Sequence, residues 1–304
     1  MSARRIAFIS LLIASLFWSS AGVASKTLLK TFDPLSIGAI RLTIASLVIL
    51  PLFLRTTSRL STQLLIDTLP VALFSAGNFL FFLFGINKTT ANAAVIIYTA
   101  TPITVALLSH RLIREHISRQ KITGILIGLG GVLIILLLPI LEQTHLIVGD
   151  IQGNLLIVGA VIMFALYNVG SRHLIVAKSY HPLTITGMSL FVSAVCFILL
   201  LFLFPHKPIF PPLLALDNIS VLLYLAIFVT VVPYVLHQWA IKHSSATTGS
   251  LTGYIQPIFG FILNGILLGE IITGRFFAGS LLVFFGTFLA TGTEVVRMMK
   301  RKGQ

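Results

Sequence analysis

The residues able to touch a polar solute are few, and they sit inside otherwise apolar stretches: Trp18, Arg41, Asn78, Tyr98, Thr101, Tyr167, Asn168, Tyr234, Tyr254 and Gln256. Counted at about 1.5 Å per residue from the ends of their stretches, all but Arg41 fall near the centre of a bilayer. Rings and neutral amides at one depth suit a small amphipathic solute better than an inorganic ion. The plainer alternative is that the amides hold helices together and the rings pack, although the rings lie too deep for an interfacial belt. Arg41 lies about 10 Å from the outer end of its stretch by the same helical rise. Two roles are open to it: snorkelling outward or onto loop carbonyls, or reading a substrate carboxylate or phosphate with its planar fork.

Pro102 and Pro257 add a second kind of signal. Each lacks the N–H that would bond the carbonyl four residues earlier, at Tyr98 and Gly253 respectively. Lipid cannot satisfy such a carbonyl. It needs a nearby hydroxyl, such as Thr99 or Thr101, or a cavity. Two prolines at equivalent places favour a cavity wall with a hinge at each kink.

Other chemistries find little support. The eight acids, Asp33, Asp67, Glu115, Glu142, Asp150, Asp217, Glu270 and Glu294, all stand near stretch ends or in loops. With no deep carboxylate to titrate, the expectation is flux down the solute's own gradient or solute-for-solute exchange. His237, the deepest histidine, lies only about 6 Å from the inner end of its stretch. His145 and Asp150 form an H-x4-D pair of the kind some acyltransferases use, but no polar cluster supports them. No metal-ligand spacing, G-x-S-x-G or Walker loop occurs, so neither an enzyme nor a cofactor is expected. The net charge of +13 does not imply nucleic acid, because the basic residues occupy short loops between apolar runs.

The elements that must position these residues follow from composition. Apolar residues make up 57% and charged ones 10%, and runs of about 20 apolar residues recur, enough to cross a ~30 Å hydrocarbon core as helices. Ten spans are predicted: 6–29, 35–54, 64–86, 91–112, 121–141, 153–176, 182–204, 218–241, 246–268 and 274–296. The first imitates a secretory signal after Arg4 and Arg5, but the run continues through Trp18 and reads as a retained helix. Cys196 stands alone inside an apolar run, so no disulfide is expected.

The segment 91–131 recurs at 246–286. An ungapped shift of 155 residues superposes Ala91 on Ala246, Pro102 on Pro257, Glu115 on Glu270, Gly124 on Gly279 and Gly131 on Gly286. The chain is therefore a duplication, with repeats at 1–141 and 153–297. Glu115 and Glu270 close their helices beside Ser118 and Thr273, N-caps by type, and read as turn residues. Gly124, Gly128, Gly131, Gly279 and Gly286 mark close helix contact, within the chain or between subunits of a homodimer.

Lysine and arginine orient the spans. With the N-terminus inside, fifteen of them face the cytoplasmic side and five, Lys26, Lys30, Lys88, Lys207 and Arg275, the other. Both termini are then cytoplasmic. Five spans per repeat, an odd number, set the copies in opposite orientations. The fold expected is all-α and integral to the membrane, ten transmembrane helices in two inverted five-helix repeats.

Taken jointly, the ten spans, the A-x10-P-x12-E-x-[IL]-[ST]-x5-G run in both halves, the Asp33-Pro34 opening and Arg41 in span two resemble the EamA branch of the drug/metabolite transporter superfamily. That resemblance covers nearly the whole chain. It implies export or exchange of small metabolites, often amino acids, across a bacterial inner membrane through a cavity between the halves. Two departures stand out: Ser189 where the first half has Arg41, and His237 where it has Phe82. The resulting expectation is a carrier of small organic metabolites, amino acids or their relatives. A broad exporter of lipophilic compounds is the alternative, and a strong excess of rings over amides in the cavity would favour it.

Overall fold

The structure, a computed structural model, describes residues 3–57, 60–113, 119–142, 149–205, 207–209, 212–243 and 252–300. Among the described residues there is no strand. Span one comprises two helices, Ala3–Ser19 and Ala21–Leu29, and span four two more, Ala91–Thr99 and Thr101–Ile113. Spans two, three, six and seven are Pro34–Thr56, Thr62–Lys88, Ile151–Val176 and Pro182–Leu203. Span eight runs through Leu216–Ala226, a π turn at Ile227–Val231 and Val232–His243, while spans five, nine and ten are Arg119–Glu142, Thr252–Leu268 and Gly274–Lys300. Among the described residues, seven spans are long and apolar enough to cross a membrane; the apolar parts of spans five, nine and ten, at Ile122–Leu138, Gln256–Leu268 and Gly274–Leu289, are shorter.

Local chemistry sets where the helices start. Asp33 accepts from the backbone N–H groups of Leu35 and Ser36, and Pro34 occupies the first turn, where its missing N–H costs nothing. His181 and Pro182 repeat the device at span seven, while Ser61, Thr90 and Asp150 cap spans three, four and six. The breaks are equally local. Pro233 removes one intrahelical bond and its ring crowds the turn before it, and there span eight widens into the π turn.

Packing follows a pseudo-twofold axis. Span one packs on span eight as span six packs on span three, and spans two and seven, four and nine, and five and ten meet as equivalent pairs. Spans five and ten cross backbone to backbone. A Cβ on Gly286 would stand 2.2 Å from the Gly128 nitrogen, and one on Gly131 2.5 Å from the Val283 nitrogen. The glycine faces are therefore spent within the chain, which removes them as the subunit contact. Leu47, Leu126, Phe202 and Ile266 point outward at 64–85% exposure. An apolar exterior of this kind matches lipid as the solvent.

The loops group into two ends. At one, Lys178 pairs with Asp67 at 2.6 Å and the Tyr180 hydroxyl donates to the same carboxylate. At the other, the Lys207 N–H donates to Asp33, and the Asp150 N–H to the Lys88 carbonyl.

Candidate functional site

A cavity opens where spans one, two, three, four, six, eight and nine converge. Its void, mouth included, measures about 640 Å³, and its wall carries Trp18, Phe79, Phe82, Tyr98, Phe164 and Tyr234 as rings and Arg41, Asn78 and Gln256 as polar groups. Ala21, Gly22, Ala91, Ala94 and Val95 complete it. Their small side chains let the breaks in spans one and four approach: a Cβ on Gly22 would stand 2.8 Å from that of Ala91.

The rings brace one another. Trp18 meets Phe164 and Tyr234 edge-on at 5.6 and 6.0 Å, and Phe79 stacks on Tyr234 at 5.4 Å with the planes 17° apart. Phe79 and Tyr234 are repeat equivalents under the 155-residue shift, so this stack lies across the pseudo-twofold. Asn78 donates to the Tyr98 hydroxyl at 2.6 Å and to the Ala160 carbonyl at 2.9 Å. Both amide protons are thereby used, and the Tyr98 hydroxyl keeps its own proton to donate.

Arg41 does not snorkel. It is 3% exposed, and its Nε donates to the Thr230 hydroxyl at 2.6 Å. Thr230 sits in the π turn and donates in turn to the Leu225 carbonyl. The guanidinium carbon lies 5.1 Å above the centre of the Phe79 ring, a cation–π contact. Nη1 is buried with no hydrogen-bond partner.

The remaining predicted residues separate. Thr101 spends its hydroxyl on the Tyr98 carbonyl at 2.6 Å. The carbonyl freed by Pro102 is thus satisfied by a neighbouring threonine and does not face the cavity. The helix nonetheless breaks beside it at Ala100, whereas span nine runs through Pro257 unbroken. Tyr167 and Asn168 are fully buried behind the wall, Tyr167 packing on Tyr234 at 5.6 Å and Asn168 donating to the Phe164 carbonyl. Tyr254 lies in span nine with its side chain outside the described set, and Glu115, Ser118, Ala246 and His145 lie outside the described residues altogether. Asp150, the other half of the H-x4-D pair, is committed to the cap of span six. Phe79, Phe82 and Phe164 were not singled out from the sequence. A phenylalanine in an apolar span has no contrast with its neighbours. His237 stands beside the cavity wall, its ring 5.3 Å from Trp18 and 5.6 Å from Phe164.

Glu270 anchors the first turn of span four, whose Ala91 lines the cavity. Gly269, at φ +65°, turns the chain out of span nine, and the Glu270 carboxylate then accepts from the N–H groups of Ala91 and Asn92 at 2.7 and 2.8 Å. A carboxylate on a helix N-terminus satisfies otherwise orphaned donors and meets the positive end of the helix dipole. Asn264 donates to Asn92 alongside. Glu270 also borders an open depression of about 920 Å³, together with Lys26, Lys30 and Thr90.

The EamA-like transporter family matches this chain twice, over residues 5–137 and 151–292. The chain belongs to that family. Its EamA relatives include an uncharacterized transporter of Clostridium kluyveri, 25% identical over 93% of this chain and 92% of its own length. YetK of Bacillus subtilis, also an uncharacterized transporter, is 28% identical over 93% of this chain and 86% of its own. A Chlamydia muridarum S-adenosylmethionine/S-adenosylhomocysteine transporter is 27% identical, with 87% and 85% covered. A solved crystal structure shares the fold with a TM-score of 0.65 at 19% identity, covering 97% of this chain and 98% of its own. The chain is a multi-pass membrane transporter, and the family and its named relatives are carriers, not enzymes.

Proposed function

We propose that this EamA protein is a carrier for small organic metabolites, amino acids or related compounds, that exports or exchanges them by alternating access. The carrying observation is the cavity: rings and a few polar groups gathered where the two repeats meet. The repeats, 1–141 and 153–297, would rock about the shared stack of Phe79 and Tyr234, with Ala100–Pro102 and Pro257 as hinge points. A relative named for S-adenosylmethionine and S-adenosylhomocysteine, both built on an amino acid, supports the same solute class. The positive-inside bias supports a bacterial inner membrane with both termini cytoplasmic. A homodimer, if formed, uses a surface other than the glycine faces.

Six rings against two amides in the wall favour the second reading, a broad exporter of lipophilic compounds. The test is flux through purified protein in liposomes, against labelled amino acids, carboxylates, nucleosides and uncharged lipophiles. Saturable flux of one polar class supports the carrier reading; comparable flux of unrelated uncharged lipophiles supports the exporter. An imposed pH gradient, with voltage clamped by potassium and valinomycin, tests the expectation of uncoupled flux. Accumulation of a neutral solute only when that gradient is present would refute it.

A further inference from the structure

We infer that the solute of this carrier bears a single carboxylate, and that Arg41 receives it. The inference rests on the carrier reading and narrows its solute class. A guanidinium withdrawn from water requires either a counter-charge or a full set of acceptors. Arg41 has one acceptor, Thr230, on Nε, and a ring face below it, while Nη1 is left without a partner. No acid supplies the counter-charge among the described side chains. Asp33 and Asp150 cap helices, Asp67 holds Lys178, Asp217 stands in the first turn of span eight, and Glu270 closes span four.

The anchoring also orients the group. Thr230 fixes the Nε edge and Phe79 covers one face, so the guanidinium is held by the protein on both, and Nη1 remains for a ligand oxygen. The Tyr98 hydroxyl, fixed by Asn78, offers a further proton on the same wall. A guanidinium N–H and a hydroxyl on one wall can each donate to one oxygen of a carboxylate, the former as a charge-assisted bond. The number of charges follows from the asymmetry of the repeats. With spans two and seven aligned on the prolines that open them, Pro34 and Pro182, the counterpart of Arg41 is Ser189, which is buried and donates to its own helix at the Ile185 carbonyl. Among the described residues the cavity wall thus presents one lysine or arginine, Arg41, and a phosphate dianion would bring a second charge with nothing to balance it. The rings opposite accept the apolar body of the solute, and an ammonium, where present, can rest on a ring face.

Binding is read with Trp239→Phe protein in detergent, which leaves Trp18 as the sole tryptophan, and with matched non-fluorescent probes. These are phenylalanine and phenylalaninamide, methionine and methioninamide, hydrocinnamate and hydrocinnamamide, with phenyl phosphate as the dianion. At least one acid should quench Trp18 with a Kd ten-fold or more below that of its amide, and phenyl phosphate should bind more weakly than hydrocinnamate. Arg41→Gln should abolish the acid preference and Arg41→Lys should retain only part of it. Size exclusion and thermal melting report whether each variant is folded. If Arg41→Gln does not fold, Thr230→Val replaces it and should weaken acids several-fold with amides unchanged. A panel in which no acid outbinds its amide overturns the inference, and so does an acid preference that survives in folded Arg41→Gln, which would move the site to Lys26 and Lys30 in the separate depression. Liposomes separate this result from the broader reading: equal flux of acids and amides leaves a carrier without an anion site. An acid preference in binding with no flux leaves the anion site and removes the carrier.

Discussion

At the scale of single residues, depth along a helix was legible in the sequence, and direction around it was not. Counting from span ends placed Trp18, Asn78, Tyr98, Tyr234 and Gln256 at one level, and all of them reach the cavity wall. Tyr167 and Asn168 share that level but point away, because a residue count fixes height while neighbouring helices decide which side is buried. Asp33 shows what could be read outright. Burial raises its pKa, yet bonds from the Ser36 hydroxyl and from the N–H groups of Ser36, Lys207 and Leu35 outweigh that and hold it below the ordinary carboxylate value. A lowered carboxylate contributes stability above its unfolded pKa and loses it as pH falls through the folded one. The melting temperature of the wild type should therefore drop between about pH 5 and pH 3, with a shallower drop in Asp33→Asn. Asp33→Ala should cost about 1 kcal/mol at neutral pH, as expected for a lost N-cap.

At the scale of helices, the duplication was legible because proline, glycine and acid coincide in one register. The sequence left open how each copy would use them. Pro102 adjoins a break and Pro257 does not, and the hydroxyl of Thr101, absent at its equivalent Gln256, accounts for how the first break is satisfied. The glycines make a firm mechanical prediction. Gly286→Val would drive side-chain atoms into the Gly128 backbone and should destabilise the protein by about 1–3 kcal/mol, read as a lower melting temperature. Glu270 makes a functional one. Its two charge-assisted bonds hold the start of span four, so Glu270→Ala should loosen that end. A cysteine at Ala94, in a Cys196→Ser background, should then react several-fold faster with a membrane-impermeant thiol reagent applied from the Lys26 side. Equal rates with Glu270 intact would show that access to Ala94 does not depend on it.

At the scale of the whole molecule, the inverted duplication was visible in the odd span count, and the pairing of equivalent helices across an axis bears it out. The asymmetry within that symmetry carries the last consequence. Arg41 has an uncompensated charge only while the carrier is empty. With a carboxylate aboard the site is neutral, and without one a bare cation sits in a low-dielectric interior, a situation that costs about 2.5–3.5 kcal/mol on translocon scales. Each 1.4 kcal/mol of that cost appearing on the barrier to reorientation would slow the vacant protein about ten-fold. The molecule should then behave as a turnstile that swings back only with a passenger. Labelled solute preloaded into liposomes should leave at least ten-fold faster into buffer containing unlabelled solute than into plain buffer. In Arg41→Gln, tested with the matching amide, the two rates should converge.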